Sequence, residues 1–331
     1  MTTIAIDAMG GDRAPADIVA GALDAARLAD LDIDVVLIGD EARVLPLLPS
    51  ELPSNLVVEH APEVIEMSDD PAAAIRSKRA SSLVRCAEAV RDGRADAMVG
   101  AGNTGATMAA ALLRWGRIRG VNRPAIAVPL PIPGSDRKQL LVDGGATVDP
   151  EPAWLAQWAR LGRAYATVRF DTAEPTVGLL SNGEEPGKGD ALRKAAHGLF
   201  DDIPGFIGNV EGRDLMRASA DVIVTDGFTG NVALKTAEGA LLGIAGMVFA
   251  VLDRPEFAEV ADPIKLALLT AAADLLPDNT GGALLLGVQG VCIISHGSSS
   301  ATAIVNAVRV ADQSVRAGVV DRLTEAAGSA V

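Results

Sequence analysis

The chain has 331 residues, 49% of them hydrophobic and 22% charged, and its 43 acidic against 29 basic side chains leave a formal net charge of −14. That is the composition of a folded globular protein, long enough for about two ordinary domains or one large α/β unit with a sizeable core. An isoelectric point near 4.7 argues against generic nucleic-acid binding, so an anionic substrate or partner has to be held by backbone dipoles and a few placed cations.

Met1-Thr2-Thr3 brings no basic stretch, and Asp7 interrupts the first apolar run, so the sequence predicts a cytoplasmic protein without a secretory signal. Strand-length apolar runs follow at 3–6, 35–38, 56–59, 97–99, 125–130, 139–142, 176–180, 221–225 and 291–294. Helix-length stretches separate them, opening at Pro15, at Asp69-Asp70-Pro71 and at Pro150-Glu151-Pro152. The alternation predicts an α/β fold with a largely parallel sheet, built as one continuous unit without linker or repeat. Residues 236 to about 276 break the pattern, reading as two helices parted near Arg254-Pro255 with no strand between. The stretch 239–252 is apolar around its whole circumference. It reads either as a buried core or dimer helix, or as a protruding hairpin whose apolar tip meets a membrane or a partner. The longest uncharged stretch, 279–308, is broken by glycines, His296 and a serine run, and predicts no transmembrane helix. Cys86 and Cys292 read as reduced core residues.

Three glycine-rich turns follow strands: Met9-Gly10-Gly11-Asp12, Gly100-Ala101-Gly102-Asn103-Thr104-Gly105, and Asp226-Gly227-Phe228-Thr229-Gly230-Asn231. Each offers backbone N–H groups at the positive end of a helix, and small side chains let a phosphate or carboxylate approach closely. Neither a dinucleotide fingerprint nor a Walker motif is present, which disfavours a nicotinamide or ATP enzyme. His60, His197 and His296 lack the spacing of paired metal ligands and read as structural. No Gly-x-Ser-x-Gly elbow supplies a nucleophile. In Gly183-Glu184-Glu185-Pro186-Gly187-Lys188-Gly189, Lys188 falls where a helix is expected to begin, either facing an anion at the sheet edge or solvated at the surface. Gly208-Asn209-Val210-Glu211-Gly212-Arg213-Asp214 reads as a polar turn with a Glu211–Arg213 ion pair.

Taken in order, IDAMGGD at 6–12, RSKRASSL at 76–83, AGNTGA at 101–106, RPA at 123–125, VGLL with GEE and KG between 177 and 189, FIGNVEGRD at 206–214, DGFTGNVALKTAEG at 226–239 and HGSS at 296–299 resemble the bacterial phosphate acyltransferase family of phospholipid synthesis. The resemblance covers almost the whole chain, with departures at Arg13, Thr147, Ser181-Asn182 and near Leu284. It implies a single domain over 1–331, a three-layer α/β/α fold like isocitrate and isopropylmalate dehydrogenases and phosphotransacetylases, a mostly parallel sheet with a helical hairpin, and a homodimer. It implies transfer of a long-chain acyl group from acyl carrier protein to inorganic phosphate, with no metal or organic cofactor. The anion turns alone also admit a phosphotransacetylase using acyl-coenzyme A, and a non-catalytic membrane-surface scaffold stays open beside both.

On this resemblance Lys188 and Asn231 are the expected catalytic pair, Lys188 screening phosphate charge and Asn231 donating to the thioester oxyanion. Asn103, Thr104 and Gly105 are expected to hold phosphate, with Asp7, Gly10, Gly11, Asn209, Thr229 and Gly230 completing the substrate site. Two basic clusters, Arg76, Lys78 and Arg79, then Arg114, Arg117, Arg119 and Arg123, read either as a docking surface for the acidic carrier protein or as scattered solvated side chains. The family's work at the inner membrane face gives the hairpin a possible weak, peripheral contact, which Asp253, Glu256, Glu259 and Asp262 oppose on anionic lipid.

Overall fold

The computed structural model describes residues 1–272 and 277–328. Eleven strands among them form one sheet: β1 Thr2–Asp7, β2 Ile33–Gly39, β3 Leu56–His60, β4 Ala97–Gly100, β5 Ala125–Pro131, β6 Lys138–Val142, β7 Val177–Leu180, β8 Phe206–Val210, β9 Val222–Val224, β10 Ala283–Leu286 and β11 Val291–Ile294. Their spatial order is β3-β2-β1-β4-β11-β10-β5-β6-β9-β7-β8. Around the sheet lie α1 Ala16–Arg27, α2 Glu41–Val44, α3 Pro71–Ser77, α4 Ser82–Arg91, α5 Thr104–Arg114, α6 Pro152–Phe170, α7 Ala191–His197, α8 Gly227–Leu252, α9 Ala261–Ala272, α10 Pro277–Thr280, α11 Ala301–Arg316 and α12 Val319–Gly328.

β3, β2, β1, β4 and β11 run parallel, and so do β6, β9, β7 and β8. Between the blocks, β10 is antiparallel to both β11 and β5, and β5 is antiparallel to β6. Side chains on β1 alternate faces: Ile4 and Ile6 join one core with Val19 of α1, Trp158 of α6 and Ile304 of α11. Ala5 faces the other core with Ile75, Leu83, Cys86 and Ala106 from α3, α4 and α5. Helices therefore cover both faces, which is the three-layer α/β/α arrangement implied by the family resemblance. Local capping explains where many helices start, since Asp70, Ser81, Asn103, Asp190, Asp226 and Ser300 each accept a backbone N–H of the first turn.

Two strands contradict the sequence reading. Phe206–Val210 is the edge strand β8, where a polar turn was expected. Ala283–Leu286 is β10, whose alanine and leucines carry no strand preference and which pairs only because β11 and β5 flank it. The hairpin also differs in extent: α8 begins at Gly227, ahead of the expected 236, and runs 26 residues, about 39 Å at the usual rise. Residues 273–276, where the expected hairpin ends, lie outside the described residues. Of the α8 residues only Gly227, Gly230 and Leu252 are buried, while Leu242 is 69% exposed and Leu266 of α9 67%. The hairpin protrudes, and the alternative of a helix buried in the core of one chain is excluded.

Candidate active site

β1, β4 and β11 are neighbours and parallel, so their carboxyl ends and the turns that follow lie side by side, where ligands of open α/β sheets bind. Asp7 is buried under the first turn and accepts the Met9 N–H at 3.1 Å. Burial pushes its carboxyl above the ordinary value against the opposing bonds from Ser82, Met9 and Gly10. A Cβ on Gly10 would stand 2.7 Å from the Asp7 carboxylate and 2.9 Å from the backbone nitrogen of Gly102. The Asp12 N–H donates to the Gly297 carbonyl at 2.7 Å. The three turns are thus laced backbone to backbone. Asp7, Gly10 and Gly11, expected at the substrate, form the underlay, and Asp12, Gly102, Thr104, Ser295, His296 and Gly297 present themselves to the cleft above.

Asn103 is engaged at both ends of its amide, accepting the Ala106 N–H at 3.0 Å and donating to the carbonyls of Met67 and Asp69 at 3.1 and 3.2 Å. It positions the N-terminus of α5. Gly105 is small for packing, since a Cβ there would meet Pro71 at 2.8 Å and push α3 away. Of this expected phosphate trio, Thr104 is the member that lines the cleft.

The opposite wall is the N-terminal half of α8, from which Asn231, Leu234, Lys235 and Glu238 line the cleft. Asp226 caps that helix by accepting the Thr229 N–H at 2.8 Å, and the buried guanidinium of Arg193 binds its other oxygen. Arg193 also donates to the hydroxyls of Thr225 at 2.8 Å and Thr229 at 3.1 Å. Burial alone would raise the Asp226 carboxyl, but the bonds from Thr229 and the charge of Arg193 outweigh it and hold the group below its ordinary value. Gly230 is required by close approach, because a Cβ there would fall 1.9 Å from the Asp143 carbonyl oxygen. Two residues apart on a helix are turned by about 200°, so Thr229 and Asn231 face different spaces. Thr229 lines a hollow with Ser181, Asn182, Asp190 and Arg193, and Asn231 lines the cleft.

Asp143, which the sequence reading missed, anchors a fourth glycine-rich turn. Its buried carboxylate gathers the N–H groups of Ile126 (2.8 Å), Gly145 (3.1 Å), Ala146 (3.0 Å) and Thr147 (2.7 Å), and burial raises it despite them. Gly144 and Gly145 of that turn line the cleft beside Ile126 and Val128 of β5. The signal was the Asp-Gly-Gly directly after the run 139–142.

The resulting cleft, about 430 Å³, holds one cation on its α8 wall. Lys235 Nζ lies 2.6 Å from Nε2 of His296 and 2.8 Å from the Glu238 carboxylate. An ammonium has only donors, so Nε2 accepts from it, while Nδ1 lies 2.8 Å from Ser298 Oγ and 3.4 Å from the Ser298 backbone nitrogen. Beside His296, on the wall facing α8, the Ser295 hydroxyl is buried without a hydrogen-bond partner among the described residues. His296, expected to be structural, is a cleft residue.

Lys188 is corrected in the other direction. It sits exposed in the loop after β7, its stem folded over Gly183, and α7 begins only at Ala191 behind the Asp190 cap. Among the described residues it does not line the cleft with Thr104 and Asn231. Asn209 is buried on β8 and donates to the Glu185 carbonyl at 2.8 Å, which ties down the loop carrying Lys188. Of the basic clusters, Lys78 is bound to Asp69 at 2.5 Å and to the Val64 carbonyl at 2.9 Å, and Arg114 is half-buried against Glu88 at 3.4 Å. Arg76, Arg79, Arg117, Arg119 and Arg123 are exposed, with Arg123 over the Trp154 ring at 5.5 Å. No group of three or more His, Cys, Asp or Glu side chains placed to hold a metal ion occurs among the described residues.

The family described as "Fatty acid synthesis protein" matches residues 2–322. A phosphate acyltransferase of Myxococcus xanthus is 47% identical over 99% of this chain and 94% of its own length. One from Desulfitobacterium hafniense is 44% identical over 98% of this chain and 96% of its own. The chain belongs to the phosphate acyltransferase family. It is accordingly an acyltransferase of lipid synthesis. The family's fold extends beyond its sequence relatives: a phosphotransacetylase of Streptococcus pyogenes superposes with a TM-score of 0.62 at 17% identity, covering 95% of this chain and 94% of that one. A branched-chain phosphotransacylase of Enterococcus faecalis gives 0.59 at 15% identity, covering 95% and 99%. For the acyltransferase described here, these two structures establish shared architecture alone.

Proposed function

We propose that this acyltransferase moves a long-chain fatty acyl group from the thioester of acyl carrier protein to inorganic phosphate, releasing acyl phosphate and the carrier thiol. A phosphate oxygen attacks the carbonyl carbon, the C–O bond forms as the C–S bond breaks, and the departing thiolate takes up a proton. Phosphate is already anionic near neutral pH, so its reaction calls for placement more than activation, and placement in register contributes about 7–11 kcal/mol at best. The observation that carries this reading is the convergence on one cleft of Thr104 at the start of α5, Asn231 and Lys235 on α8, and the unpartnered Ser295 hydroxyl. In it Lys235 takes the screening role first assigned to Lys188, and Asn231 donates to the oxyanion.

The exposed arginines after α5, Arg117, Arg119 and Arg123, support docking of an acidic carrier protein on a chain whose net charge would otherwise repel it. The uncovered apolar hairpin supports a homodimer and a weak peripheral contact with the inner membrane face. The test of the reaction is phosphate-dependent loss of a palmitoyl thioester from acyl carrier protein, with acyl-coenzyme A in parallel and hydroxylamine trapping the product. Trapped acyl phosphate formed preferentially from the carrier protein is the expected result. Product formed only from coenzyme A replaces the proposal with the phosphotransacetylase reaction.

A further inference from the structure

From the Lys235 end of the cleft a second, apolar space continues along α8. Leu234, Ala237 and Leu241 succeed one another at helical spacing on one half-buried face, opposite Val128 and Leu130 of β5 and Met216. Cleft and slot share Val128, Leu234, Glu238 and Thr280 as lining, so they form one path. Glu238, held by Lys235, stands at the junction. On the cleft side are the groups suited to a carbonyl and a phosphate. Beyond Glu238 the wall offers aliphatic side chains, one thioether and a single small residue, Ala237.

We propose that this slot is the acyl-chain subsite, and that Ala237 and Leu241 set the chain length it accepts. The inference rests on the acyl-transfer reading above and names where that substrate's tail lies. A saturated chain is the occupant the walls select, because a polar arm would lose its hydration against Leu130, Leu234 and Met216 without gaining hydrogen bonds. The slot is much the narrower space, about 60 Å³ against about 430 Å³ for the cleft, which excludes a headgroup and leaves room for a few methylenes of a single unbranched chain. From Asn231 to Leu241 the helix advances ten residues, about 15 Å, the span from the reacting end of the cleft to the far end of the slot.

The probe is a ladder of straight-chain alkylphosphonates of increasing length, which carry the phosphate-like head and an inert tail, titrated calorimetrically against the full chain. In the native protein each added methylene is expected to tighten binding by up to about fourfold, the equivalent of ~0.8 kcal/mol, until the slot is filled and the gain stops. Ala237→Trp and Leu241→Trp bring that plateau several carbons earlier and leave the shortest phosphonate unchanged. Leu242→Trp, one position along and facing outward at 69% exposure, leaves the ladder unaltered. Affinity independent of chain length in the native protein overturns the subsite. So does loss of short and long ligands alike in both slot variants, or a Leu242→Trp effect equal to that of Leu241→Trp. The thioester assay separates this from the function itself: an intact ladder without phosphate-dependent thioester loss overturns the reaction and keeps the slot. Thioester turnover with a flat ladder keeps the reaction and discards the slot.

Discussion

The contact between Arg193 and Asp226 joins α7 to the cap of the helix that carries Asn231 and Lys235. Both side chains are nearly inaccessible, at 7% and 5% exposure, so removing one partner leaves the other charge without solvent. Breaking a buried pair in this way costs about 3–5 kcal/mol, and Arg193→Met is expected to pay it in full because it also releases the hydroxyls of Thr225 and Thr229. With a urea slope of about 3 kcal/mol per M, the midpoint falls by about 1 M or more. Asp226→Asn costs less, since asparagine caps a helix as well as aspartate and Arg193 keeps Asp190 at 2.8 Å. The double variant falls short of the sum of the singles by about 1–3 kcal/mol. Unfolding in urea followed by tryptophan fluorescence reads all three, with Trp158 buried in the core as reporter. The folded chain holds Asp226 below its ordinary value, so its stabilising share is present above about pH 4 and is lost as pH falls through the lowered value. The Arg193→Met deficit therefore shrinks in acid. Strict additivity within about 0.5 kcal/mol, or a deficit constant down to the acid transition, refutes the reasoning.

Further outcomes follow from the cleft and its surroundings. Lys235→Met, which removes a charge-assisted contact of about 1.5–3 kcal/mol, is expected to lower kcat/KM for phosphate about 10- to 150-fold, while Lys188→Ala stays within about threefold. The reverse order in steady-state kinetics restores Lys188 to the site. Arg117→Glu with Arg119→Glu raises KM for carrier-bound substrate and not for acyl-coenzyme A, and the gap closes at high salt; salt-independent kinetics discard that surface. Asp7 has a raised folded value, so its contribution is complete below about pH 4 and is lost as pH rises through that value. Asp7→Asn, which still accepts the Met9 N–H, accordingly raises Tm more at pH 7 than at pH 4. An equal gain at both shows that the carboxyl is not penalised by its burial.

Periodicity located nine of the eleven strands among the described residues to within a residue or two, because runs rich in β-branched side chains, such as Ile33, Val35, Val36 and Ile38 of β2, leave little choice at that length. β10 escaped because Ala283–Leu286 is helix-like in composition and is made a strand by its neighbours. β8 escaped because glycine and asparagine inside Phe206–Val210 are turn signals in isolation. The glycine-rich turns were legible as a set, and their convergence was not: the role of Gly230 depends on an Asp143 carbonyl that lies far off in sequence. Thr229 and Asn231, two positions apart in the motif, were separated by the turn of the helix once its start moved to Gly227. Lys235 was inside a recognised motif, yet only the approach of His296, 61 positions away, marks it as the cation of the cleft.

The length of α8 ties the proposed site to an uncovered apolar surface. One rigid rod of 26 residues has Asn231 and Lys235 near its base and Leu242, Ile244 and Met247 bare farther out. Under the proposed function, whatever shelters the outer half also steadies the wall against which the reactants are aligned. On that proposal, dilution or detergent that uncovers the outer half is expected to lower specific activity.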